Sequence, residues 1–147
     1  MAEEWTERAE IRDALVRYTV AFRRKDVDHL DEVFAPDAVL DYRESGGPLG
    51  DWPTTKQWIA SVLEDAHLFL LYVGDSTYRF QEDQSAADVE TTWSGVFVTS
   101  PDGPTMQVYG TYEDRFVRTG DGWKILARTD HPAWQVVHSA PVPVEGG

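Results

Sequence analysis

The feature that most constrains the fold is a change of periodicity at His67. Before it, apolar residues recur at helical spacing, and charged residues fill the positions between them. After it, the chain is rich in Val, Thr and aromatic residues, with turns that contain glycine. Helices followed by hairpin-linked strands predict an α+β domain in which helices cover one face of an antiparallel sheet. Four apolar residues share one face of the first predicted helix: Ile11, Leu15, Tyr18 and Phe22.

Two shorter helices are predicted between the first helix and the long strands. Asp28 is the expected N-cap of one, and Thr54 with Gln57 fits a capping box at the start of the other. A sheet built from long strands must twist and curl. We therefore expect a cone-shaped α+β barrel, a curved, mostly antiparallel sheet wrapped over three N-terminal helices, with a concave space for a ligand. The predicted strands are 38–42, 68–80, 89–99, 106–118 and 123–129.

Size and charge exclude several classes of partner. The 147 residues fit a single domain at 1–138, followed by a tail at 139–147 that we expect to be disordered. A net charge of −13 repels phosphate backbones, so nucleic acid is not an expected partner. No apolar run approaches the roughly 18 residues that span a bilayer, and the first residues lack the pattern of a signal peptide. We expect a cytoplasmic protein that does not bind membranes.

The sequence also lacks the usual signatures of metal and cofactor sites. It has no cysteine, and its four histidines show no ligand spacing. Phosphate loops and dinucleotide fingerprints are absent as well. The sequence therefore predicts a site that works without a metal or a cofactor.

Three stretches of the sequence carry a resemblance to a known family. Residues 21–30 (AFRRKDVDHL) and 34–43 (FAPDAVLDYR), with the late hairpin 112–125, resemble the SnoaL-like branch of the nuclear transport factor 2-like superfamily. The first two stretches are especially similar to scytalone dehydratases. The resemblance runs from about Arg8 to Trp134 and implies a cone-shaped fold with a deep pocket. The superfamily includes dehydratases, isomerases, cyclases and proteins that only bind, so the fold alone does not define the activity.

The resemblance implies three catalytic residues. His67 matches the histidine that moves the proton in dehydratases of this group, and a neutral-pH imidazole is suited to that task. Tyr42 matches a tyrosine that holds water against the substrate carbonyl, and Tyr18 matches the oxyanion-stabilising tyrosine of ketosteroid isomerases. From the residues alone, His67 is also compatible with a capping or packing role. Both tyrosines are equally compatible with core positions whose hydroxyls are satisfied within the protein.

Four further residues are candidates for substrate binding. Arg23 stands where scytalone dehydratases have an acid at the end of the first helix, and either faces the pocket or lies on the surface. Glu90 interrupts a strand that is otherwise apolar and rich in threonine. Asp114 follows Glu113, so strand alternation turns one of the two towards the pocket. Trp58 is expected in the pocket wall or in the core.

Two classes of function fit these residues. The first is a cofactor-independent lyase or isomerase of the dehydratase type, acting on a small apolar or aromatic metabolite such as a ring-bearing ketone or phenol. His67 would transfer the proton while Tyr18 and Tyr42 stabilise an enolate; a polyketide-type cyclase is the related alternative. The second is a small-molecule-binding or assembly module without catalysis. A homodimer or homotrimer is also expected, through exposed aromatic residues on the strands: Tyr72, Tyr78, Phe97 and Tyr109.

Overall fold

The protein is described by a computed structural model that covers residues 2–139 and residue 144. The predicted disordered tail, 139–147, therefore lies almost wholly outside the described residues. Residues 2–139 form two α-helices, two 3₁₀ helices and six strands. In chain order these are α1 (Ala2–Arg24), a 3₁₀ helix (Val27–Glu32), β1 (Phe34–Asp41), a 3₁₀ helix (Arg43–Ser45), β2 (Leu49–Asp51), α2 (Trp52–Asp65), β3 (Leu68–Phe80), β4 (Ala86–Val98), β5 (Thr105–Thr119) and β6 (Gly122–His138).

The six strands form one curved sheet in the order β2-β1-β6-β5-β4-β3. Neighbouring strands are antiparallel except β1 and β6, which are parallel. The register shifts within the β3–β4 and β5–β6 pairs, and such bulges bend the strands and increase their twist. The predicted α+β class with a curved, mostly antiparallel sheet is confirmed. Within the described residues the sheet remains open, because its edge strands β2 and β3 do not pair.

The N-terminal helix packs its predicted apolar face into the concave side of this sheet. Its contacts with the sheet are mainly with β3 and β6. The four residues of the predicted stripe are all at most 5% exposed: Ile11, Leu15, Tyr18 and Phe22. The helix ends where Lys25 takes a left-handed conformation, with φ of 55°, and the chain turns back towards the sheet. The stripe thus places Tyr18 and Phe22 in the interior.

The caps of the two shorter helices differ from those predicted. Asp26, not Asp28, caps the 3₁₀ helix, because its carboxylate accepts a hydrogen bond from the backbone N–H of His29. Asp51 caps α2 by accepting from the backbone N–H of Thr54 at 2.9 Å. The predicted capping box at Thr54 is wrong, because the N-cap of α2 is Asp51, three residues earlier. Asp51 already satisfies the backbone N–H of Thr54, which Gln57 would satisfy in a capping box.

The strands agree best with prediction at β3 and least at β6. Residues 68–80 were predicted as a strand and form β3 with those bounds. Strand β6 continues to His138, nine residues beyond its predicted end at 129. Pro132 is tolerated there because it lies at the register shift opposite Gly110. This extension carries Asp130 to the rim of the interior.

The aromatic residues predicted for an oligomer interface lie on both faces of the sheet. Tyr72 and Tyr109 are exposed on the convex face, in one cross-strand row with Trp134. Phe97 instead lines a cavity on the concave face, and Tyr78 packs against the core. The homodimer or homotrimer stays a prediction. Among the described residues, no helix is long and apolar enough to cross a membrane.

Candidate functional site

Two adjacent chambers lie between the helices and the concave face of the sheet. The inner chamber has a volume of about 60 Å³, and the outer chamber has a volume of about 370 Å³. The outer volume falls in the range of small-molecule pockets, whereas the inner one has room for a single functional group. Both chambers are lined by the same five residues where they meet: Ser45, Trp58, Val62, Phe69 and Trp93.

Three tyrosines from three different elements line the inner chamber. We call Tyr18 of α1, Tyr42 at the end of β1 and Tyr112 of β5 the tyrosine cluster. The hydroxyls of Tyr18 and Tyr42 are hydrogen-bonded at 3.0 Å, and Tyr18 also interacts with the Tyr112 hydroxyl. Burial raises the pKa of all three well above the usual value for tyrosine, so all three stay protonated. The hydrogen bond between Tyr18 and Tyr42 uses one of the three hydroxyl hydrogens, so the cluster keeps hydroxyl hydrogens that can be donated to a group in the chamber.

A buried ion pair lies behind the tyrosine cluster. Arg128 Nε and Nη2 donate to the two oxygens of Asp114 at 2.7 and 2.9 Å. Its remaining terminal nitrogen, Nη1, donates to the Tyr42 oxygen at 3.2 Å, and the guanidinium lies 3.8 Å from the centroid of the Tyr112 ring. Burial disfavours the charged form of Arg128, but its interaction with Asp114 outweighs this and raises its pKa. The cation therefore polarises the tyrosine hydroxyls towards donation.

A second buried carboxylate, Asp130, faces the same chamber but is only partly paired. Ser45 Oγ donates to Oδ2 of Asp130, whereas Oδ1 has no hydrogen-bond partner within the described chain. Burial is the main cause that raises the pKa of Asp130, against the opposing effects of Ser45 and Arg128. The side chain is thus a carboxyl group with proton affinity above normal and one free oxygen.

The indole N–H of Trp93 is the matching unpaired donor. Trp93 lines both chambers, and its Nε1 is buried without a hydrogen-bond partner among the described residues. It lies near enough to Asp130 to oppose the rise in the pKa of that carboxyl, yet it does not reach hydrogen-bond geometry with either oxygen. A free donor and a free acceptor are therefore both carried by residues that line the inner chamber.

Aromatic rings form the walls around these polar groups. The ring centroids of Trp58 of α2 and Tyr42 are 5.2 Å apart. Trp93 stacks nearly parallel on Tyr112, and their ring centroids are 5.3 Å apart. Phe69 and Phe97 continue the wall into the outer chamber. The backbone at Gly47 lies close to the Trp58 ring, and a Cβ at this position would be only 2.8 Å from the indole. This close approach therefore requires a glycine. Such walls suit a flat, ring-bearing molecule.

Comparison with known proteins places this architecture in a family. The family model of the SnoaL-like domain matches residues 3–129. The chain belongs to the SnoaL-like domain family. The uncharacterized protein Rv2910c of Mycobacterium tuberculosis is 36% identical over 135 residues, which cover 90% of this chain and 89% of that protein.

Solved structures show the same fold for this SnoaL-like chain. A scytalone dehydratase-like protein from Novosphingobium aromaticivorans superposes with a TM-score of 0.82 at 15% identity, covering 99% of this chain and 100% of that one. A nuclear transport factor 2-like superfamily protein from Salmonella enterica superposes with a TM-score of 0.72 at 18% identity, covering 98% and 99% of the two chains. The resemblance to this superfamily, including its scytalone dehydratase-like members, is confirmed at the level of the fold.

Four of the seven residues predicted for the site, His67, Arg23, Glu90 and Asp114, line neither chamber. His67 is exposed just before β3, where its backbone N–H donates to the carbonyl of Val98 at 2.7 Å, and it is not among the described lining residues. Arg23 is exposed at the end of α1. Glu90 is exposed on the convex face, since its neighbours along β4 are buried. The structure does not bring His67 to the two tyrosines.

The other three predicted residues, Tyr18, Tyr42 and Trp58, line the inner chamber, and Asp114 is buried behind it. Of the pair Glu113 and Asp114, Asp114 is the one that points inwards, as alternation requires, and it holds Arg128. Four residues of the site were not selected from the sequence, and one of them, Arg128, lies directly opposite the candidate Asp114: Tyr112, Trp93, Arg128 and Asp130.

Proposed function

We propose that this chain is a cofactor-independent lyase or isomerase of the dehydratase type, acting on a small ring-bearing molecule with an oxygen function. One observation carries the proposal. Asp130, whose Oδ1 has no hydrogen-bond partner among the described residues, lines the same small chamber as the protonated tyrosine cluster. A base and a hydrogen-bond donor on one chamber are the two groups that proton abstraction beside a carbonyl needs. The fold shared with a scytalone dehydratase-like protein supports this class of reaction.

In this proposal Asp130 takes the proton-transfer role. Its environment raises its pKa, so its carboxylate is a stronger base than an exposed aspartate. The carboxylate removes a proton from the carbon beside the carbonyl, and the C–H electron pair moves into the enolate. The tyrosine cluster donates to the enolate oxygen, with the Arg128 charge behind it.

Two outcomes complete the reaction in this proposal. In an isomerisation, Asp130 returns the proton to a different carbon. In a dehydration, the enolate expels a hydroxyl from the next carbon, and Asp130 gives that hydroxyl the proton, so that water leaves. Either way the carboxylate is regenerated, and no cofactor is consumed.

The experiment is exchange of ketone protons with solvent deuterium. We expect the protein to accelerate loss of the α-proton signals of 1-tetralone and 1-indanone in deuterium oxide, followed by proton NMR. Asp130→Asn should lower that rate by about 10²-fold or more, since general-base catalysis contributes about 10²–10⁴-fold. Asp121→Asn, an exposed substitution of the same type in the turn before β6, is the matched control and should leave the rate unchanged.

Two further results decide between the competing functions. His67→Ala should leave the exchange rate unchanged; a loss there with no loss in Asp130→Asn would return the proton-transfer role to the histidine. Binding of both ketones without any exchange above the buffer rate would contradict catalysis and favour the binding module.

A further inference from the structure

The lining of the inner chamber includes one residue with an unpaired donor and one with an unpaired acceptor. Trp93 Nε1–H and Asp130 Oδ1 both lack a partner in the described chain, and both side chains line the inner chamber. Trp93 is 8% exposed and Asp130 is 3% exposed. Buried polar atoms in native proteins are almost always hydrogen-bonded, so such a pair marks a place for a bound group.

The position next to the indole nitrogen on β5 has no side chain, because it is Gly110. Gly110 of β5 lies beside the indole nitrogen, where a Cβ would be 2.9 Å from Trp93 Nε1 and 2.5 Å from the carbonyl oxygen of His131. The nearest of these atoms, the carbonyl oxygen of His131, belongs to the backbone. Rotation of a neighbouring side chain could therefore not make room for a side chain at position 110. The other oxygen of Asp130 is already held by Ser45, which fixes the orientation of the free one.

We infer that this pair recognises a hydroxyl group on the ring-bearing ligand, which enters the inner chamber hydroxyl first. A hydroxyl oxygen accepts the hydrogen bond from Trp93, and its hydrogen is donated to Asp130. The ring then lies between the walls formed by Trp58 and Phe69, with the remainder in the outer chamber. This inference rests on the proposed function for the location of the ligand, but it requires binding and not turnover.

A hydroxyl is favoured over the other oxygen groups that such a ligand could carry. A ketone or an ether only accepts hydrogen bonds, so it leaves Asp130 Oδ1 buried and unpaired. A water molecule in the chamber can make the same two hydrogen bonds, and a ligand hydroxyl replaces both when it displaces that water. An ether that displaces the water replaces only one. Leaving a buried acceptor unpaired lowers affinity by about tenfold or more.

The test compares two ligands that differ only at the hydroxyl hydrogen. Affinities of the full chain for 2-naphthol and 2-methoxynaphthalene are measured by isothermal titration calorimetry at about neutral pH. We expect 2-naphthol to bind at least about tenfold more tightly. Equal affinities, or tighter binding of the ether, overturn the inference, and so does the absence of binding by both.

Two variants tie the preference to the two named atoms. Trp93→Phe keeps an aromatic ring but removes the hydrogen-bond donor, and should lower the affinity for 2-naphthol by about tenfold. Asp130→Asn can present an N–H in place of the free oxygen, so the preference for 2-naphthol over the ether should shrink or reverse. A preference unchanged in both variants overturns the assignment to this pair.

The ketone exchange experiment keeps the two proposals separable. Catalysed exchange that depends on Asp130, with no preference for 2-naphthol, contradicts the hydroxyl site and leaves the proposed function standing. A clear preference for 2-naphthol without ketone exchange contradicts the proposed function and leaves the hydroxyl site standing.

Discussion

Asp114 and Asp130 lie on neighbouring strands and are both almost completely buried, yet they are paired very differently. Cross-strand pairing puts Asp114 directly opposite Arg128 and Asp130 directly opposite Tyr112. Asp114 therefore receives two hydrogen bonds from a guanidinium, whereas Asp130 receives one from Ser45 and keeps a free oxygen.

The difference in pairing gives the two carboxylates different roles in the site, a structural role for Asp114 and a reactive role for Asp130. Both oxygens of Asp114 accept hydrogen bonds from Arg128, so neither oxygen is left for a ligand. Asp114 therefore serves to fix the Arg128 charge behind the tyrosines. Burial raises the pKa of both carboxyl groups, so the difference lies in the free oxygen, with which Asp130 can accept a proton or a hydrogen bond from a ligand. Burial alone does not identify a functional carboxylate; its pairing does.

The largest effect is expected from breaking the Asp114–Arg128 pair. Arg128→Met leaves the Asp114 charge buried without its partner, and should lower the free energy of unfolding by about 3–5 kcal/mol. Urea denaturation near neutral pH measures this. The double variant Arg128→Met with Asp114→Leu should recover most of the loss, because it removes the orphaned charge. A loss below about 1 kcal/mol in the single variant would contradict the role given to the pair.

Asp130→Asn should change stability less, and in a way that depends on pH. The folded-state pKa of Asp130 is raised, so its contribution to stability is full below the unfolded-state pKa, near 3.8, and is lost as pH rises through the folded-state pKa. The neutral amide removes that dependence. The wild type should therefore lose stability relative to the variant as pH rises from about 4 through the folded-state pKa, as measured by urea denaturation of both proteins. A difference that stays constant over this range contradicts the raised pKa.

The smallest effect is expected next to Asp130, on the opposite face of β6. The exposed His131 is hydrogen-bonded to Glu113, which is the main cause of its raised pKa, and Glu44 adds to the shift. Glu113→Gln should lower the pKa of His131 towards 6.5, as followed by proton NMR of the imidazole. The pair's stabilisation is present below pH 6.5 and is lost as pH rises through the raised pKa. Because the pair is exposed, less than about 0.5 kcal/mol should be lost; a larger loss would mean that this face is not merely solvated.

The sequence predicts the parts of the molecule that regular periodicity determines. The apolar face of α1 places Tyr18 in the interior, and alternation along β5 requires one of Glu113 and Asp114 to point inwards, which the structure shows to be Asp114. The bounds of β3 follow from its composition of apolar and aromatic residues. These features depend on local pattern, which a single sequence contains.

The polar half of the site depends on register, which the sequence does not contain. On β6, Trp123 and Ile125 point inwards at odd positions, but a register shift opposite Arg115 and Phe116 turns the even positions, Arg128 and Asp130, inwards beyond it. Unbroken alternation predicts the opposite face for both residues. The placement of His67 fails for a related reason, since one position at a helix–strand junction decides whether a side chain faces the interior.

The most direct test of the account is the titration of Asp130 itself, by carbon NMR of its side-chain carboxyl with Asp130→Asn to assign the signal. The expected result is a pKa above the usual 3.8, and a signal that moves when 2-naphthol is added. A pKa at or below 3.8, with no response to a ligand that binds, would contradict the claim that this half-paired carboxylate is the reactive group of the site.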